Sequence, residues 1–274
     1  MKLKQILAGM VLLGSFAGFT ACSDDDYSPV TLVYANNSDS LLINENNTLL
    51  LNPFSEGETF RIQGGNGVYT IDNANKDIVR CDYDGKTLTF VPVGMGTATV
   101  VISDLVGNSY LLTIQIENPK ATYTLGSVDA KITAEEMTQG DINRLKARIL
   151  EDALMTQGGR YEFTYTNKDL TEGGIVIYPG PSSTSLTGTF QKKTLYATDG
   201  TLYQDIRITL ADQTSLHLMM LMKGNTSADL QPYAFAEDVT AQYKGEYDKL
   251  EQAYRIQDIA VSYTHLRAHE TLAN

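Results

Sequence analysis

The sequence predicts a mainly β chain in which an N-terminal β-sandwich is followed by an α+β domain with an antiparallel sheet. Three observations lead there. Apolar residues alternate with polar ones in short runs, the period of a strand with one buried face. Gly, Asn and Asp separate these runs at turn positions. Helical spacing of apolar residues is concentrated in one stretch, from Thr133 to Gly158, so helices are few.

Residues 1–21 read as a signal peptide: a cationic start at Lys2 and Lys4, an apolar run from Ile6 to Phe19, then Thr20-Ala21-Cys22. The run is too short to span a bilayer, and a small residue stands before Cys22 where a signal peptidase would cut. This pattern resembles the lipobox of bacterial lipoproteins, which implies that Cys22 becomes the acylated first residue; Phe19 stands where Leu is usual. Ser23, Asp24, Asp25 and Asp26 resemble the acidic signal that sends lipoproteins of Bacteroidetes-type bacteria to the outer face of the outer membrane. Residues 22–29 are then a lipidated tether, and the protein is expected in the outer membrane, facing the cell exterior.

Charge agrees with an anchor made of lipid. From Cys22 to Ala260 there are 18 lysines and arginines against 32 aspartates and glutamates, a formal charge of −14. Such a chain is repelled by phosphate backbones and anionic surfaces, so nucleic acid is excluded as a partner and the membrane is reached through the acyl chains. With Cys22 assigned to lipid, Cys81 has no cysteine partner, and no disulfide framework is available. Cys81 alternates with Tyr83, the pattern of a half-buried strand thiol, and its neighbours Asp82 and Asp84 disfavour a reactive thiolate.

Residues 30–118 supply the sandwich. Phe60 and Ile62, Tyr69 and Ile71, Leu88 and Phe90, the set Ala98, Val100 and Ile102, and the set Leu112, Ile114 and Ile116 each have period two, with Gly or Asn at the breaks. Asp77-Ile78-Val79, Asp84-Gly85-Lys86, the run Gly94-Met95-Gly96-Thr97-Ala98-Thr99-Val100 and Asp104 resemble a bacterial immunoglobulin-like domain of the adhesin type. The resemblance implies that the Gly-x-Gly-Thr-Ala-Thr run bends into an inner strand. The chain has no tryptophan, so the Cys-Trp-Cys core of antibody domains is excluded.

Pro119 interrupts the pattern at Glu117-Asn118-Pro119-Lys120, and residues 121–260 form the α+β domain, expected to be truncated. Thr133-Ala134-Glu135-Glu136 has the form of a capping box, and Asp141 is placed to cap a restarted helix bearing Ile142, Leu145, Ile149 and Ala153. Gly158-Gly159 stops it. Strands follow at Tyr161 to Tyr165, Ile175 to Ile177, Phe190 to Tyr196, Ile206 to Ile208 and Leu216 to Met222, then a short helix within Val239 to Leu250 and a last strand from Tyr254. The stretch Glu237 to Tyr247 with Tyr254-Arg255-Ile256-Gln257 is similar to uncharacterised lipoproteins of gut Bacteroidetes, a resemblance that implies no activity.

Residues 261–274 are expected to be non-native. Val261 to Thr271 back-translates into a string that resembles a transposase mosaic-end sequencing adapter, and a peptide of that origin was never selected to pack. With it go His265, His269 and Glu270, whose spacing would offer a metal two imidazoles on one helix face.

No other motif carries chemistry. Asp82-x-Asp84-Gly85 opens like a calcium loop, yet Val93 stands where a closing Glu is needed, so a tight hairpin is the reading. Met220 and Met222 alternate with Leu216 and Leu218 as core residues of a strand, and His217 faces the other way. No serine sits in a nucleophile elbow, and no metal site, cofactor or catalytic residue is assigned. The expected function is a non-catalytic surface lipoprotein with an adhesion or binding role toward a glycan or protein ligand; the alternative is a surface hydrolase acting on glycan or peptide behind the same stalk. The contact residue read from sequence is Tyr178, in the proline-restricted loop Tyr178-Pro179-Gly180-Pro181.

Overall fold

A computed structural model describes residues 27–35, 43–224 and 229–264. The signal peptide, Cys22 and the acidic run Ser23 to Asp26 lie outside the described residues. The fold is mainly β, with antiparallel sheets and an eight-stranded barrel.

Strands β1 (Thr31–Tyr34), β2 (Thr48–Leu51), β3 (Glu58–Gln63), β4 (Tyr69–Asn73), β5 (Val79–Tyr83), β6 (Thr87–Pro92), β7 (Gly96–Asp104) and β8 (Ser109–Ile116) form two four-stranded sheets, in the orders β1-β3-β6-β5 and β2-β8-β7-β4. All pairs are antiparallel except β2 with β8. One buried cluster draws on both sheets, with Phe60, Leu88 and Phe90 from the first and Val100, Ile102, Leu112 and Ile114 from the second. The alternating residues read from the sequence are the ones that point into it. Asp84 sits in the turn between β5 and β6, where its carboxylate accepts from the N–H groups of Lys86 and Thr87 while Gly85 takes φ +89°.

The chain then enters a barrel. Strands β9 (Lys120–Ala134), β10 (Arg160–Tyr165), β11 (Glu172–Tyr178), β12 (Leu186–Tyr196), β13 (Leu202–Leu210), β14 (Ser215–Lys223), β15 (Gln231–Asp238) and β16 (Leu250–Thr264) each pair with the next, and β16 returns to β9. The antiparallel sheet expected from the sequence closes on itself, β16 pairing back to β9. Side chains fill the interior: Tyr123, Phe163, Phe190 and Phe235 stack edge-on, with centroids 4.7 Å apart for Phe163 and Phe190.

Two helices close one end. Helix α1 (Gln139–Glu151) connects β9 to β10, and the four-residue α2 (Thr240–Tyr243) connects β15 to β16. The start of α1 differs from expectation: Thr133 ends in β9, and the cap is Thr138, whose hydroxyl oxygen accepts from the Asp141 N–H while donating to the Asp141 carboxylate. The same reciprocal logic applies one turn later than the Thr133 box, because pairing with β16 holds residues up to Ala134 extended. Leu145 and Ile149 of α1 pack with Ala130, Val239, Tyr243, Leu250 and Ala253.

Strand β16 runs past Ala260. Val261 lies opposite Tyr123 and Tyr263 opposite Ala121, and both pack against the barrel cluster. The expectation that nothing beyond Ala260 packs is not met, because the ladder asks only for extended backbone and alternate apolar side chains, which this segment offers whatever its origin. A chain ending at Ala260 is expected to lose about 2–4 kcal/mol of stability through the unpaired β9 segment and re-exposed Tyr123. Urea denaturation followed by circular dichroism measures it; a loss below about 1 kcal/mol would show the last ladder residues to be dispensable.

Candidate functional site

The helix end of the barrel carries a cleft of about 410 Å³ between the segment joining β9 to α1 and the turn joining α2 to β16. Met137 and Tyr247, both packed on the small helix-end cluster, give it an apolar floor. Its charged lining is acidic in excess: Glu136, Asp141, Glu246 and Asp248 against Arg144 and Lys249. Lys249 Nζ meets Glu136 Oε2 at 3.0 Å across the cleft, Arg144 pairs with Asp141 along the first turn of α1, and Arg148 ties α1 to Glu246. The hydroxyl of Thr138 and the guanidinium of Arg144 hold the Asp141 carboxyl below its ordinary value, and the Glu246 carboxylate raises Arg148. These exposed pairs contribute little to stability and open at small cost, so a ligand with cationic or hydroxyl groups can exchange for them.

Behind the cleft the interior is polar and tightly held. Arg255 is buried, donates two N–H groups to the Ile149 carbonyl at 3.2 and 3.1 Å, and pairs with Glu237. Tyr161 donates its hydroxyl to Gln257 Oε1 at 2.9 Å. The α1 C-terminus, β15 and β10 are thereby tied to β16.

The opposite end of the barrel holds Lys192, whose parity on β12 follows the inward Phe190. Its amine lies 4.8 Å from the Tyr165 ring centroid, and the hydroxyls of Tyr165 and Tyr263 are hydrogen-bonded with that of Tyr123. Burial lowers the Lys192 amine to about 8. The unfolded chain therefore binds more protons above that pH, and stability is expected to rise between about pH 8 and about pH 10. Above that the buried tyrosines, raised by desolvation, ionise first in the unfolded chain and reverse the slope. Lys192→Met is expected to add about 1–3 kcal/mol at pH 7, discounted for the part of the side chain that meets solvent, and to flatten the rise. Thermal melts across that range check both; an unchanged profile refutes the assignment.

The remaining candidates are structural in their surroundings. Tyr178 ends β11 on the outside of the barrel, with the Arg160 guanidinium 3.5 Å from its ring centroid. The Pro179 carbonyl accepts from the N–H of Thr156, so the loop is bound to the segment after α1. His217 also faces outward and shares the Asp205 carboxylate with Arg207 on the neighbouring strand. Met220 and Met222 lie inside. The Cys81 thiol is pushed up to about 11 by burial and by Asp82, against which Asn73 acts weakly. Among the described residues no three of His, Cys, Asp and Glu converge as metal ligands.

Sequence reasoning missed the cleft and Lys192. The cleft joins two segments separated by about a hundred residues of sequence, so no local motif marks it. Lys192 had a signal, since the alternation Phe190, Lys192 puts it on the apolar side of its strand. No protein-family model matches the chain, and no curated protein is significantly similar to it in sequence.

Proposed function

We propose that this protein is a non-catalytic lipoprotein anchored through Cys22 on the outer face of the outer membrane, with an immunoglobulin-like β-sandwich as stalk and the barrel as a head that binds a glycan or a protein. One observation supports the reading: the path of the chain from Val30 to the cleft. The chain enters the first two sheets at Val30, beside the end of β7, and leaves them from Ile116, at the opposite end of the β7–β8 ladder. Strand β9 then runs fifteen residues, roughly 45–50 Å of contour, to the helix end. A cleft at that end of the path meets ligands arriving from the medium.

The acidic rim and apolar floor suit a partner bearing cationic or hydroxyl groups around an apolar contact. The mature chain, wild type against Glu136→Lys, Tyr247→Ala and Tyr178→Ala, is screened on a glycan array and against outer-membrane extracts. Binding lost in the two cleft variants and retained in the Tyr178 variant is expected. Binding unchanged in folded cleft variants removes the cleft, and turnover of any polymer in the same screen makes the protein a surface hydrolase. The anchor has its own tests: Cys22→Ala abolishes acyl labelling and detergent partition, and alanine at Asp24, Asp25 and Asp26 keeps the lipid but loses sensitivity to protease shaving of intact cells.

A further inference from the structure

The end of the first two sheets where the chain enters is apolar at its tips. Val68 in the loop between β3 and β4, and Leu105 and Val106 in the turn between β7 and β8, are 54%, 68% and 56% exposed. One carboxylate joins the two tips. Asp104 accepts from the N–H of Asn66 in the first and from the N–H groups of Val106 and Asn108 in the second, and takes a further bond from the Asn108 side chain. The backbone of the two tips is thus held together, which lowers the ordering cost of a contact made by the three apolar side chains they carry.

The N-terminal segment arrives at the same end. The Gly65 N–H donates to the Ser28 carbonyl at 2.7 Å, and Gly64, at φ +80°, lies so close that a Cβ would stand 2.0 Å from the Pro29 carbonyl oxygen. Tyr27, 42% exposed, precedes them. Four residues lie between Cys22 and Tyr27, so five Cα–Cα steps join them, a reach of at most about 18 Å. If the acyl chains on Cys22 are in a bilayer, Tyr27 lies within that distance of the headgroups, at the same end of the two sheets as the tips. Beside an anchor, these side chains have an apolar surface always at hand.

We propose that the tips carrying Val68, Leu105 and Val106 rest on the bilayer to which Cys22 is anchored, seating these side chains at the boundary of headgroups and acyl chains. The proposal rests on the reading of Cys22 as the lipidated residue. Apolar burial drives the contact and charge opposes it, since the chain is acidic and Asp24, Asp25 and Asp26 follow the anchor in sequence. The docked end sets the axis of the stalk, so the barrel stands away from the membrane and does not lie along it.

The chain has no tryptophan, so an introduced indole is a sole reporter. Mature chain with Cys81→Ser is coupled through the Cys22 thiol to a maleimide lipid in phosphatidylcholine vesicles, carrying either Leu105→Trp or, in the turn between β12 and β13, Thr201→Trp. Acyl-brominated lipid is expected to remove most of the emission from the first and leave the second unchanged. Adding Val68→Asp and Val106→Asp restores the first without releasing the protein. Emission from Leu105→Trp that survives bromination, or equal quenching of the barrel reporter, overturns the docking alone. Absence of acyl label on Cys22 in cells overturns the anchor, and the docking with it, so the two failures are told apart.

Discussion

Replacing Arg255 with alanine is expected to destabilise the barrel by about 3–5 kcal/mol. The Arg255 side chain is 4% exposed and its guanidinium serves two acceptors at once: the Glu237 carboxylate and the carbonyl of Ile149 in the last turn of α1. Removal leaves a carboxylate facing an apolar wall and a helix carbonyl without a donor, each costly in low dielectric. Glu237 keeps partial contact with water, which places the effect toward the lower end of that range. Arg255→Lys is expected to recover only part, because an ammonium lacks the planar fork that reaches both acceptors. Arg255→Met combined with Glu237→Leu should be far milder than either loss of a single partner, since no buried charge remains. Denaturant titration of the three variants decides the matter; an alanine variant within about 1 kcal/mol of wild type would mean that water enters and replaces the guanidinium.

Phe235→Ala should have a comparable cost, about 3–5 kcal/mol. The ring is fully buried and stands edge-on to Tyr123 and Tyr161, with centroids 5.3 and 5.2 Å away, so it joins β15 to both strands on the far wall of the barrel. The void left by truncation lies among rings that cannot collapse onto it without tilting Tyr161 off Gln257. Phe235→Leu fills most of the volume and is expected to cost less than half as much. Calorimetry gives the loss, and near-ultraviolet circular dichroism of the tyrosines gives the repacking. A Phe235→Ala protein with unchanged tyrosine signal and near wild-type stability would show the interior to be loosely filled.

The parts of the fold that were legible are those written within a few residues. Period-two alternation located β3 through β8 and β10 through β14, and assigned Met220 and Met222 inward and His217 outward, because a strand sends neighbouring side chains to opposite faces. The Asp84-Gly85 turn was legible for the same reason of locality: a short carboxylate and a residue free to take positive φ suffice for it. Strand β9 was not. Between Leu125 and Ser127 the ladder to β16 skips Gly126, so the inward set changes phase from Ala121, Tyr123 and Leu125 to Val128, Ala130 and Ile132, and the alternation that marks a strand is broken in its middle.

The sequence by itself determined that the chain is mainly β, where most strands and turns fall, and which side chains face inward. Only the tertiary structure decided that the second sheet closes, that Arg255 and Glu237 are buried partners, that Lys192 loses water, and that Glu136 and Lys249 face one another across a cleft. The physical reason is one of range. Propensity, turn geometry and side-chain parity are settled by neighbours a few residues apart, whereas closure depends on β9 pairing with β16 more than a hundred residues on, and the cleft, the buried ion pair and the desolvated amine come into being only when that pairing is made.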